Sequence, residues 1–361
     1  MNDRLNKLYA YMDQEQLDAV LITQPKHVYY LTGFASDPHE RFLGLVLPKG
    51  EEPFLLVPAL DEGAARAEAS VSSIWTHTDT DNPYEVLKRA LTVPIARLGV
   101  EKNHLTVRRY EELSATLAAD SYVDVERALT QMRAIKSSEE LARLKEAARL
   151  VEQVLCDGLR HVKHGVTELD IAAELEYAMK KAGVSPAFTT TVLSGANSAL
   201  PHGATGNRKI QNGDMLLFDM GVVYDGYLSD ITRTFAVGEI SEKMKGIYET
   251  VLEANIRGIA SVRPGVEMAE VDRAARQCIE SRGYGSCFTH RIGHGLGIEV
   301  HEYPSVHGDN RDRLSEGMVI TIEPGIYLPG IGGVRVEDDV LVTADGAQTL
   351  TTFPKQLTVI G

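Results

Sequence analysis

Along residues 1–132 the apolar positions change period repeatedly. Residues 3–16 place them at helical spacing, as do 59–69, 83–91 and 106–118. Between these lie short apolar runs of strand length: 18–22 (DAVLI), 42–47 and 53–57. Helix and strand in alternation predict a small α/β domain. The segment 131–140, QMRAIKSSEE, carries no apolar cluster and predicts a boundary, with one domain over 1–132 and a second over 133–361. Ser137 or Ser138 followed by Glu139 and Glu140 predicts a helix N-cap with an acidic first turn. LARLKEAARLVEQVL carries that helix, amphipathic, to about 162.

The second region repeats itself. KHGVTELDIAAELEYAMKKAGVSPAF (163–188) matches RPGVEMAEVDRAARQCIESRGYGSCF (263–288), with Gly165 on Gly265, Val166 on Val266, Gly183 on Gly283 and Phe188 on Phe288. GDMLLFDMG (213–221) then matches GMVITIEPG (317–325). Each half reads as two helices followed by a strand, and two such halves are expected to pack with approximate twofold symmetry. The alignment sets Asp219 against Glu323, so a site between the halves collects a carboxylate from each.

MLLFDMGVVYDGYLSDITRTF predicts a β-hairpin, because Asp225-Gly226 suits a two-residue turn with positive φ at both positions. With Tyr224 opposite Tyr227, Asp219 faces Thr232 and Asp230 faces Gly221. Asp219 and Asp230 then share a sheet face, while Phe218 and Met220 point to a core. Two carboxylates so placed repel unless a cation or a proton lies between them. Further on, VITIEPGIY puts Glu323 in an apolar strand, where a bare carboxylate is costly. GGVRVEDDVLV puts Arg335 and Glu337 on one strand face. In THRIGHGLGIEVHEYP, Gly293, Gly295 and Gly297 bracket His294 and permit close approach. Asp219, Asp230, His294, Glu323 and Glu337 form an oxygen-rich set suited to two divalent ions, Mn²⁺ first, with Co²⁺, Zn²⁺ or Fe²⁺ as alternatives.

Charge and cysteine content narrow the setting. The chain carries 37 Lys and Arg against 51 Asp and Glu, a net charge of −14. Such a surface repels phosphate backbones and anionic lipid, which argues against nucleic-acid and membrane partners. Cys156, Cys278 and Cys287 are odd in number and widely spaced, as expected in a reducing compartment. The opening residues lack an apolar core, and no apolar run approaches the roughly 20 residues of a membrane span, so a cytoplasmic location is expected.

Taken together, SALPHG, DMGVVYDGYLSDITRTF, HRIGHGLGIEVHE, VITIEPGIY and GGVRVEDDVLV resemble the metal-dependent pita-bread peptidases: proline dipeptidase (prolidase), aminopeptidase P and methionine aminopeptidase. HVYYLTGF (27–34) is similar to the N-terminal domain shared by the first two. The resemblance implies an α/β N-terminal domain followed by an α+β pita-bread catalytic domain. It implies a homodimer and a small peptide substrate with proline at the second position. Residue by residue, it implies that Asp219 and Glu337 clamp the metal pair, that Asp230 chelates one ion, and that His294 and Glu323 hold the other. Glu323 is further implied to move a proton from a metal-bridging hydroxide's parent water to the leaving proline nitrogen. His202 and His301 are implied to stabilise the tetrahedral intermediate or bind the substrate carbonyl, and His290 to line the proline side. Arg335 is implied to pair with a carboxylate, either the substrate's or a site acid. Xaa-Pro dipeptidase is the expected activity. Aminopeptidase P on longer peptides is the alternative, and a non-catalytic pita-bread binding module is more remote. His27, His39, His77, His104, His161, His164 and His307 sit in no motif and are expected at the surface.

Overall fold

The structure is a computed structural model describing residues 3–361; Met1 and Asn2 lie outside the described residues. It divides into two compact units, Met1–Arg133 and Ala134–Gly361.

The apolar runs of the first unit become β1 (Ala19–Ile22), β2 (Gly44–Pro48) and β3 (Phe54–Pro58), every residue of which is buried. With β4 (Ser73–His77), β5 (Arg97–Val100) and β6 (Ser121–Asp124) they form a mixed sheet in the order β4-β3-β2-β1-β5-β6. The expected helices are α1 (Asp3–Gln14), α3 (Glu62–Glu68, after a 3₁₀ turn at Ala59–Asp61), α4 (Pro83–Ala90) and α5 (Val107–Leu117). Two helices have no counterpart in the periodic reading. One is α2 (Pro25–Thr32), started by Pro25 behind a Gln24 cap and stopped by Gly33 at φ +82°. The other is α6 (Glu126–Ala134), which runs into the boundary. The expectation that the motif-free histidines lie at the surface fails for His27 and His77, which are buried. Each finds an acceptor that permits burial: the Glu101 carboxylate for His27, and the Phe42 carbonyl, 2.8 Å away, for His77 Nε2.

The second unit opens on α7 (Ser138–Leu159). Ser137 caps it reciprocally with Glu140: the Glu140 N–H donates to Ser137 Oγ at 3.3 Å, and the Ser137 N–H to the Glu140 carboxylate at 2.8 Å. The first half continues through α8 (Glu168–Lys181), β7 (Ser185–Pro186), β8 (Thr191–Ser194), β9 (Met215–Met220), β10 (Val222–Tyr224), β11 (Tyr227–Leu228) and β12 (Ile231–Val237). The second half runs through α9 (Glu242–Ser261), α10 (Met268–Ser281), β13 (Gly293–Gly295), β14 (Glu302–Val306), β15 (Val319–Ile322), β16 (Gly325–Leu328), β17 (Gly332–Arg335), β18 (Asp338–Thr343) and β19 (Gly346–Thr349), before β20 (Val359–Ile360) returns to the first sheet. One core joins α7 and α8 to β9 and β12; the other joins α9 and α10 to β15 and β18.

The repeat is visible in the backbone. Gly165 and Gly265 both turn the chain with positive φ, +88° and +83°, before the second helix of their half. The Gly165 N–H donates to the Ile210 carbonyl at 3.0 Å, and the Gly265 N–H to the Leu314 carbonyl at 2.8 Å. No helix among the described residues is long and apolar enough to cross a membrane.

Candidate active site

β9 and β12 pair with Asp219 opposite Thr232, and Tyr224 pairs with Tyr227 across a turn at Asp225 (φ +46°) and Gly226 (φ +80°). The hairpin is not one continuous ladder. A Cβ at Gly221 would collide with the Ser229 carbonyl oxygen, and there the pairing passes from the β9–β12 sheet to a second sheet holding β10 and β11. Asp230 sits in that break, outside both ladders, rather than paired with Gly221. Its N–H donates to Asp339 Oδ2 at 3.1 Å.

All nine side chains singled out from the sequence line one cleft of about 460 Å³: Asp219, Asp230, His294, Glu323, Glu337, His202, His290, His301 and Arg335. Phe188, Pro201, Arg291 and Val300 complete the wall. At the floor, ligand-type atoms of Asp230, His294 and Glu337 lie within 4.8 Å of one another. His294 Nε2 is 3.4 Å from Glu323 Oε1 and 3.8 Å from Asp230 Oδ2. Asp219, on the same wall, is gripped by the Arg335 guanidinium.

These atoms fit a metal better than they fit one another. His294 Nδ1 donates to the Gly295 carbonyl at 3.1 Å, which leaves a lone pair on Nε2. Burial, with His301 beside it, pushes the imidazole down to about 3, so the ring is neutral. A lone pair facing two carboxylates is repulsive unless a cation lies between. Burial, then Glu337, raises Asp230 well above the usual carboxylate range; burial, then Glu337, does the same for Glu323. Glu337 itself rises to about 7, through burial and then Asp219. Asp230 Oδ1 is buried with no hydrogen-bond partner among the described residues. Hard oxygen donors with one imidazole, crowded together where each raises its neighbours' proton affinity, suit divalent ions that take the protons' place.

A hydrogen-bonded frame holds the floor. Thr232 Oγ1 donates to Glu337 Oε2 at 2.6 Å and receives Arg335 Nε at 3.0 Å. Arg335 Nη1 donates to the Tyr327 hydroxyl at 2.9 Å, and that hydroxyl donates to His290 Nε2 at 2.9 Å. His290 Nδ1 donates to the Arg291 carbonyl at 2.8 Å, and burial pushes the ring down to about 4. The His301 ring lies edge-on to His294, 4.2 Å between centroids. His202 stands exposed on a turn at the cleft's edge.

Four neighbours are not marked as site residues by the sequence: Thr232, visible there only as the residue opposite Asp219, and Tyr327, Arg291 and Asp339. Asp339 could have been found by period two, since it shares a strand face with Glu337. The intervening Asp338 turns away to Arg233 and Lys355, at 2.8 and 2.9 Å. Thr232, Tyr327 and Arg291 carry no local pattern; only their contacts mark them.

Residues 142–344 match metallopeptidase family M24, and residues 4–135 match the creatinase/prolidase N-terminal domain. The chain is 44% identical to a Bacillus subtilis (strain 168) protein, YkvY, whose name gives it provisionally as a dipeptidase, over 99% of this chain and 100% of the relative. It is similar to the solved prolidase from Pyrococcus horikoshii OT3, with a TM-score of 0.92, 38% identity, and 99% and 100% of the two chains covered. It is similar also to the X-Pro aminopeptidase from Thermotoga maritima MSB8, with a TM-score of 0.88, 31% identity, and 97% and 100% covered.

Proposed function

We propose that this chain, which belongs to metallopeptidase family M24, hydrolyses the peptide bond before proline in Xaa-Pro dipeptides. Its fold is the pita-bread fold, with a creatinase-type N-terminal domain ahead of the catalytic one. Divalent metal use comes with the family, and Asp230, His294 and Glu337 converge as a ligand set requires. The finer readings carried by the resemblance and the composition are part of this proposal: two ions per chain, Mn²⁺ first, a homodimer and a cytoplasmic setting.

Asp219, Asp230, His294, Glu323 and Glu337 would hold the ions, which when bound polarise a carbonyl and lower the pKa of an attacking water. Glu323, whose Oε1 lies 3.4 Å from His294 Nε2, would take the water's proton and hand it to the leaving proline nitrogen. The burial that raises its proton affinity suits a base that must also act as an acid. His202 and His301 supply donors on the side where the oxyanion develops. His290, neutral and clamped between Tyr327 and the Arg291 carbonyl, would line the proline side with a ring held in a fixed position.

One observation carries the choice of a dipeptide. Arg291 lines the cleft, and its polar partner is the neutral Ser305 hydroxyl at 2.9 Å, whereas Arg335 is committed to Asp219. Arg291 acts on Glu323 only at a distance, and among the described residues no carboxylate lies within ion-pair reach of it; such a guanidinium on an active-site wall would seat the free C-terminal carboxylate that a dipeptide presents there. The test is hydrolysis of Ala-Pro and Ala-Pro-Ala side by side, with Mn²⁺ and then with EDTA. Metal-dependent cleavage of Ala-Pro supports the reading. Cleavage of the tripeptide with little of the dipeptide makes the protein an aminopeptidase, and cleavage of neither with metal bound makes it a binding module. Arg291→Gln should lower kcat/KM for Ala-Pro roughly ten- to a hundredfold, the worth of a charge-assisted hydrogen bond, and leave longer peptides little changed.

A further inference from the structure

We infer that Glu168 is a positioning residue for His202, an inference that rests on the reading of His202 as a donor to the reacting carbonyl. Glu168 is the first residue of α8, and its side chain is wholly buried, at 0% exposure. Burying a carboxylate is expensive, and it persists only where its charge is fully engaged. Among the described residues, the hydrogen-bond donors to its carboxylate all lie in one segment, 194–206. Glu168 Oε1 receives the Ser194 N–H at 2.7 Å, the Ser194 hydroxyl at 2.8 Å and Asn197 Nδ2 at 3.1 Å. Oε2 receives Asn197 Nδ2 at 3.2 Å and the Gly206 N–H at 3.2 Å. The nearby Arg208 forks its guanidinium onto Asp214 at 2.6 and 2.8 Å and also donates through Nη1 to the Ser194 hydroxyl at 2.5 Å, so it supports the same end of the segment without bonding to Glu168 directly.

Ser194 and Gly206 are the two ends of the segment that carries Pro201 and His202 into the cleft. One carboxylate therefore closes that loop at both ends, while the His202 side chain at its tip is exposed. None of the five ligand-type residues lies on this loop, so Glu168 acts on the histidine's own segment and meets the metal floor indirectly, through the β8–β9 pairing and the Ser198–Gly333 hydrogen bond.

The second half has a comparable arrangement. Asp272, buried on α10, accepts the Ile292 N–H at 3.1 Å and pairs with Arg276. Arg276 in turn donates to the His290 carbonyl at 2.8 Å. By the repeat, Asp272 sits one helical turn beyond the equivalent of Glu168, on the same helix face. Each half thus uses a buried acid on its second helix to hold the backbone around a cleft histidine.

The test is a double-mutant cycle on the metal-loaded protein with Ala-Pro as substrate: Glu168→Gln, His202→Ala and both together. Each is paired with metal content and with hydrogen exchange of the amides of 194–206. His202→Ala is expected to lower kcat about a hundredfold, as for loss of one oxyanion donor. Glu168→Gln should lower kcat roughly tenfold or more through misplacement, with KM within about twofold, metal content unchanged and faster exchange in 194–206. In the His202→Ala background Glu168→Gln should cost nothing further. An undiminished loss in that background, or unchanged exchange in the single variant, overturns the inference. If Glu168→Gln does not fold, Asn197→Ala removes two of the contacts while leaving the carboxylate bonded, and it must show the same non-additivity with His202→Ala. Should the wild type fail to cleave Xaa-Pro peptides, the functional reading falls, and the exchange of 194–206 still decides whether Glu168 holds the loop.

Discussion

In the first half of the catalytic unit, Gly165 turns the chain into α8 and bonds to Ile210; in the second, Gly265 turns it into α10 and bonds to Leu314. Past these matched turns the halves diverge. The first brings two short acids, Asp219 and Asp230, the latter freed from its ladder by the close approach at Gly221. The second brings the longer acids Glu323 and Glu337, the imidazole of His294 and the guanidinium of Arg335. Cross-links tie the two: Thr232 donates to Glu337, and Arg335 grips Asp219. A repeated backbone supplies two frames that face each other, and unlike side chains on those frames make a site that neither half holds alone.

The most severe way to break this complementarity is to remove one acid. Asp230→Asn keeps the shape of the side chain and should leave the fold intact, yet it should strip at least one ion. We expect turnover to fall by about a thousandfold, since several kcal/mol of transition-state stabilisation go with the metal. Metal analysis beside steady-state assay checks it. Full metal content with full turnover would mean that the acids of the two halves are not partners.

Removing the metal instead of an acid sharpens the same comparison. In the metal-free protein, burial and mutual repulsion hold Glu337 at about 7, against roughly 4.3 for an unfolded glutamate. The native state then binds the proton more tightly than the unfolded chain does. The contribution of this group to stability should be full below pH about 4 and be lost as pH rises through about 7, on the order of a few kcal/mol. Melting of the EDTA-treated protein from pH 5 to 8 should show that decline, and added Mn²⁺ should abolish it. A flat profile without metal would show that the acids do not burden one another.

The gentlest test addresses the shared frame. Gly165 and Gly265 both have positive φ, and a Cβ at either meets no atom within 4 Å. Ala at either site should therefore cost backbone strain alone, about 1 kcal/mol and alike in the two halves. Urea unfolding of the two variants measures it. Unequal costs would mean that the two turns bear different loads.

Much of the frame is legible locally. The runs that become β1, β2 and β3, the Ser137–Glu140 capping box, the Asp225-Gly226 turn and the register of Asp219 against Thr232 follow from periods of two and 3.6 and from turn chemistry. The helix α2 escaped because eight residues mixing His, Tyr and Lys show no clean stripe, and its start and stop lie in Gln24, Pro25 and Gly33. His27 and His77 escaped because burial of a histidine depends on an acceptor elsewhere in the chain, Glu101 and the Phe42 carbonyl.

By itself, the sequence determined the two kinds of unit, the repeat, the short list of acids and histidines, and the metal chemistry such donors favour. These rest on residue type and on neighbours within a turn or a strand, where stereochemistry acts on adjacent residues. Tertiary structure alone decided which oxygen of Asp230 is left without a donor and that Arg335 is committed to Asp219. It also decided that Arg291 bonds to the Ser305 hydroxyl and that Glu168 closes the loop of His202. Those outcomes turn on hydrogen bonds and charges between segments far apart in the sequence that meet only in the folded chain, within a half or across the two, and buried polar groups are governed by whichever partner arrives in space.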